Sequence, residues 1–144
     1  MEILIVVSVL GILFLITLPQ FSKIKENQIL KNALEDVVST LHNAQSQSLA
    51  SVNSSEYGVH FQSDRIIVFK GKIFSSGATD NKTINIISPA SISNVTLGGV
   101  SSNTGDVYFE RLSGVPNKTG TITITTPSTS KIVTISATGA VSVN

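Results

Sequence analysis

Hydrophobic and polar positions follow three different patterns along the chain. From Ile3 to Ser22 no side chain carries a charge. In a helix those roughly 20 residues would reach ~30 Å, the thickness of a bilayer's hydrocarbon core. From residue 23 the pattern turns periodic. Leu30, Leu34, Val37, Leu41 and Ala44 recur at spacings of three and four, and Ala33 and Val38 widen the stripe. That is one face of an amphipathic helix, expected to end near Ala50, where "SVNSS" breaks it. If the two stretches are continuous, they make a helix of ~48 residues and ~70 Å.

Beyond residue 52 the period shortens to two. "EYGVHF" and "RIIVFKGKIF" flank the polar "QSD" and predict a hairpin. "TINIIS", "SNVTLGG", "DVYFER", "GTITITT", "KIVTISA" and "TGAVSV" follow, each bounded by turn residues. The pairs Ile122/Ile124 and Ile132/Ile135 suggest sheets with one buried and one wet face. Helix first and strands after predict an α+β layer fold: a long N-terminal helix packed on an antiparallel β-sheet domain. The division expected is 1–22 as the apolar helix half, 23–52 as the amphipathic half and 53–144 as the β-rich head.

The apolar stretch has several readings. A cleaved secretory signal wants a basic start and a small-residue cleavage site, and neither is present here. A signal anchor fits the length but leaves Glu2 unexplained. A buried core helix needs more protein around it than the remaining residues supply. A carboxylate at the edge of such a stretch is costly and calls for a partner. No basic residue lies near it in sequence, so the partner expected is a chain terminus or another subunit. Gly11 weakens a helix by ~1 kcal/mol relative to alanine. Pro19, within a helix, costs ~3 kcal/mol. The segment between them is the weak link of the apolar helix.

Composition narrows the chemistry. The chain has 144 residues, a net charge of +1, no cysteine and two histidines, His42 and His60. Disulfides and thiolate chemistry are therefore excluded, and the histidines have no metal-ligand spacing. Asp64, Asp80, Asp106 and Glu110 are scattered, with no calcium-loop pattern, and read as solvated turn residues. No nucleophile motif, phosphate cradle or basic-aromatic surface is present, so neither an enzyme nor a nucleic-acid binder is indicated, and no cofactor is expected. N-x-S/T sequons at Asn53, Asn81, Asn94 and Asn117 are possible glycosylation acceptors.

"MEILIVVSVLGILFLITLPQF" resembles the N-terminal segment of type IV pilins and type II secretion pseudopilins. Glu2 matches the family's motif glutamate, Gly11 its glycine and Pro19 its proline. "EYGVHFQSDRIIVFKG" and the closing β segments are similar to the GspH/FimT-type branch. The resemblance implies a filament core built from Ile3, Leu4, Ile5, Val6, Val7, Val9, Leu10, Ile12, Leu13, Phe14, Leu15, Ile16 and Leu18. It implies that a prepilin peptidase removes a basic leader and methylates the new terminus. Met1 then fills the variable position before the glutamate, with three mature residues and the leader ahead of it. It also implies that Glu2 pairs with the N-terminal amine of a neighbouring subunit, and that Gly11 to Pro19 loses helicity on assembly. The function implied is that of a structural subunit in an extracellular pilus-like homopolymer, held in the inner membrane before assembly machinery extracts it. The alternatives are a minor pseudopilin of a secretion or DNA-uptake machine, and a membrane-anchored β domain that binds a ligand.

Overall fold

The computed structural model describes residues 2–144, excepting the side chains of residues 15–21. Helical backbone is assigned over Glu2–Leu49 (α1). Residues 2–14 and 22–49 are its fully described stretches, and they differ sharply in surroundings. Residues 2–14 are exposed throughout. In the second stretch, Leu30, Ala33, Val37, Leu41 and Ala44 are buried, and the stripe continues to Ser48. Leu34 and Val38 flank it, half-buried.

Nine strands follow, in two antiparallel sheets. The first has the order β3-β2-β1-β6, built from β1 (Tyr57–Phe61), β2 (Arg65–Lys70), β3 (Lys82–Asn85) and β6 (Gly105–Phe109). The second has the order β5-β4-β7-β8-β9, built from β4 (Ser91–Leu97), β5 (Val100–Ser102), β7 (Gly120–Thr125), β8 (Ser130–Ile135) and β9 (Val141–Val143). The α+β class and the order of elements follow the sequence pattern. The head holds two sheets, and α1 touches strands of both.

The core lies between these three elements. Val59, Phe61, Ile66, Val107 and Phe109 enter from the first sheet. Ile92, Val95, Ile122, Ile124, Val133 and Ile135 enter from the second. Burying each such side chain is worth ~1.5–3 kcal/mol before chain entropy is set against it.

Two local expectations are corrected. Ile132 and Ile135 do not share a face, because three positions on a period-two strand reverse the side chain. Ile132 is 41% exposed, whereas Val133 and Ile135 are buried. The expected strand "RIIVFKGKIF" ends at Lys70, and residues 71–81 fold as a loop. In β4 a register shift between Ile92 and Asn94 leaves two residues, Ser93 and Asn94, between the buried Ile92 and Val95, so inward-facing positions there do not alternate strictly.

Two close geometries depend on glycine. Leu97 pairs with Val100 across Gly98 and Gly99, both at positive φ (60° and 82°), as a two-residue hairpin turn of this hand requires. A Cβ on Gly120 would stand 1.8 Å from the carbonyl oxygen of Thr96, so β4 and β7 approach as they do only with glycine there.

The end of α1 is tied into the head by polar contacts. Ser48 accepts a hydrogen bond at Oγ from the Tyr57 amide (2.9 Å), and its carbonyl accepts one from the Leu112 amide (2.9 Å). Gln45 donates from its side-chain amide to the Gly114 carbonyl (3.0 Å). These contacts satisfy polar groups at the C-terminal end of the helix, which would otherwise be orphaned against the core.

Candidate assembly surface

The apolar stretch of α1 is the most exposed hydrophobic surface among the described residues. Ten large apolar side chains between Ile3 and Phe14 are 48–79% exposed. Monomeric soluble domains rarely leave so contiguous an apolar surface uncovered. The head's core closes around residues 30–48 with no contribution from residues 2–14. Glu2 sits in the first helical turn, where the helix dipole favours a carboxylate by ~0.3–1 kcal/mol. Ser8 satisfies its hydroxyl by donating to the Ile5 carbonyl (2.8 Å). A Cβ on Gly11 would meet nothing within 4 Å among the described residues.

Among the described residues no helix is long and apolar enough to cross a membrane. The expected 20-residue apolar run is described over its first part. Leu15, Ile16, Leu18 and Pro19, which complete it, lie outside the described side chains.

A second apolar surface lies on the head. A groove of about 510 Å³ runs between α1 and the edge strand β9. Leu34, Val38 and His42 form one wall, Val143 the other, with Lys31, Glu35 and Ser39 along the rim. Leu34, Val38 and His42 lie four residues apart, so they form a ridge along the helix. Lys31 and Glu35 are 4.0 Å apart with side chains 75% and 67% exposed, a pair worth only a few tenths of a kcal/mol. The sequence pattern had placed Leu34 and Val38 in the core stripe. Both are half-buried against that core, and both also line the groove, which was not legible without the fold.

The remaining polar candidates are spread over the head. Asp106 lies on β6, opposite His60 on β1, and the two side chains are hydrogen-bonded through His60 Nδ1. Gln62 reaches His60 Nε2 (3.1 Å), and Phe74 from the 71–81 loop stacks on the imidazole at 3.9 Å and 6°. His60 therefore fastens that loop to the outer face of the first sheet. No sequence motif marks this cluster, because its members come from β1, β6 and a loop. Glu110 and Glu56 each stand 3.7 Å from Lys72, whose ammonium lies 5.6 Å from the Tyr108 ring centroid.

Arg65 donates to both oxygens of Asp64 (3.1 and 2.7 Å). These bonds hold the Asp64 carboxyl below the usual carboxylate range and push the Arg65 guanidinium higher. Asp80 is exposed in the loop. Among the described residues no three potential ligands converge on a metal position.

No family model, curated protein or solved structure matches the chain.

The four sequons differ in how committed their amides are. Asn81 donates from Nδ2 to the Ser75 carbonyl (2.7 Å), and its Oδ1 is buried without a partner. Asn53 and Asn94 donate to the Tyr57 and Thr96 hydroxyls, both at 3.3 Å. Asn117 uses its oxygen instead, accepting from the Tyr108 amide (2.9 Å).

Proposed function

We propose that this protein is a structural subunit of an extracellular, type IV pilus-like filament, polymerising through the N-terminal part of α1. The reading rests on one observation: a charge-free run of exposed large apolar side chains on a chain whose head already has a complete core. The run extends in this reading through Leu15, Ile16, Leu18 and Pro19 as one continuous rod. Such a rod is stable in lipid or packed against copies of itself. The subunit waits in the inner membrane after a prepilin peptidase has processed it, and assembly machinery extracts it into the filament. The contact is heterologous, since the rod of one copy meets a different surface of the next. Contacts of that kind propagate into open helical polymers.

Glu2 supplies register. Its carboxylate is neutralised by a positive group of another copy, which makes a misaligned rod costly. Gly11 and Pro19 mark the segment that yields during extraction.

The test is imaging of surface filaments sheared from cells producing the wild-type chain and Glu2→Ala. Wild-type cells should yield filaments dominated by this chain. The Glu2→Ala subunit should remain in the membrane fraction with few or no filaments. Normal filaments from that variant would refute the assembly role of Glu2, and trace amounts of this chain in wild-type filaments would favour a minor pseudopilin.

A further inference from the structure

We infer that the groove between α1 and β9 is the receptor for the apolar helical stretch of a second copy, and that Lys31 there is the partner of Glu2. The inference rests on the filament reading above and names the surface that reading leaves open.

Both surfaces are apolar: residues 2–14 are exposed throughout, and Leu34 and Val38, half-buried against the head's core, also line the groove. Val6 and Leu10 are 57% and 48% exposed. The groove floor is the ridge Leu34–Val38 against Val143. The occupant should present a ridge of side chains four residues apart, because that is what packs beside another helix ridge. Of the four such rows on residues 2–14, the row through Ile3 and Val7 is interrupted by Gly11 and the row through Leu4 and Ile12 by Ser8. The rows Ile5–Val9–Leu13 and Glu2–Val6–Leu10 are both uninterrupted, and only the second carries a carboxylate at its end.

Charge then sets the direction. With the helices parallel, Val6 lies on Leu34 and Leu10 on Val38. Glu2, one turn before Val6, comes level with Leu30, one position from Lys31, which lines the groove beside Leu34 and can turn its ammonium from Glu35, 4.0 Å away, toward the incoming carboxylate. Reversed, Glu2 would face His42, and the strongly charged Lys31 would face the apolar far end of the row. The parallel register pairs opposite charges at one end and apolar ridges along the rest. It staggers the copies by about 28 residue positions, or ~42 Å. A receptor and a ligand on the same chain, displaced along it, cannot close a two-fold dimer, so each copy receives one neighbour and enters another.

The chain has no cysteine, so any disulfide reports only introduced residues. In cells that assemble the protein, Leu10→Cys with Val38→Cys in one chain should give, after mild oxidation, a ladder of dimers, trimers and higher species. Leu10→Cys with Leu34→Cys, the pair expected of the reversed register, should give at least tenfold less. Glu2→Lys and Lys31→Glu should each lower filament yield tenfold or more, and the double charge reversal should recover at least half of it.

A ladder with charge-swap recovery supports the inference. Filaments without the ladder overturn the groove and leave the filament reading standing. Dimers alone overturn the heterologous stagger. A ladder without charge-swap recovery overturns the role of Lys31. Absence of any assemblies from the wild-type chain overturns the filament reading and this inference with it.

Discussion

Leucine-to-alanine substitutions at Leu41 and Leu10 should separate folding from assembly. Leu41 is 0% exposed, deep in the core between α1 and both sheets. The substitution removes three carbons, worth ~2.4 kcal/mol in transfer at ~0.8 kcal/mol each. The cavity left behind brings the cost to ~3–4 kcal/mol. Against a domain stability of ~5–15 kcal/mol that is a large fraction. It should lower Tm by ~10 °C. Leu10 is 48% exposed and meets no core residue, so its loss should change head stability by less than ~0.5 kcal/mol. Thermal melts in mild detergent, followed by near-ultraviolet circular dichroism, provide the readout. Both tyrosines, Tyr57 and Tyr108, lie in the head, and there is no tryptophan, so the signal reports the head. Filament yield should fall for both variants, but only Leu41→Ala should lower Tm. Equal losses of Tm would refute the separation, since the apolar stretch would then be packed on its own head.

Other perturbations test single contacts. Gly120→Ala forces a Cβ onto the Thr96 carbonyl and should cost ~3 kcal/mol, measurable by urea unfolding; an unchanged midpoint would refute the close approach of β4 and β7. His60→Ala removes the stack beneath Phe74, worth ~1 kcal/mol, and should speed amide exchange in residues 71–81 about fivefold, leaving β7 and β8 unaffected. Asp64, held low by Arg65, should titrate below an ordinary aspartate in a carboxyl NMR titration. A carboxyl depressed in the folded state stabilises above its unfolded pKa and loses that contribution as pH falls through its folded value. Any stability difference between wild type and Asp64→Asn should therefore be present at neutral pH and vanish at strongly acid pH.

Local patterns made much of the architecture legible before the fold was known. The spacing of Leu30, Val37, Leu41 and Ala44 marks a helix face because only an α-helix brings those positions together, and all four are buried. The alternation of Ile122 and Ile124 marks one face of β7 for the same kind of reason. Glu2 and Gly11 stood out because each breaks a local rule with no compensating partner nearby. A pattern within one element can show which face is apolar. It cannot show how far a neighbouring element covers that face.

Tertiary structure decided the rest. Leu34 and Val38 belong to the apolar stripe by spacing and are half-buried on the core, yet they also line a groove that Val143 of β9 borders. His60 reads in sequence as an ordinary strand position, and it becomes a loop fastening only because β6 brings Asp106 beside it and the 71–81 loop brings Phe74 over it. The bulge in β4 resets which residues face inward, a shift that depends on pairing with β7 and not on the order of side chains. The sequence by itself determined the buried helix face, most of the strands and the apolar run, because these follow from neighbours along the chain. The groove and the histidine cluster follow from neighbours in space, and these exist only once strands distant in sequence have paired.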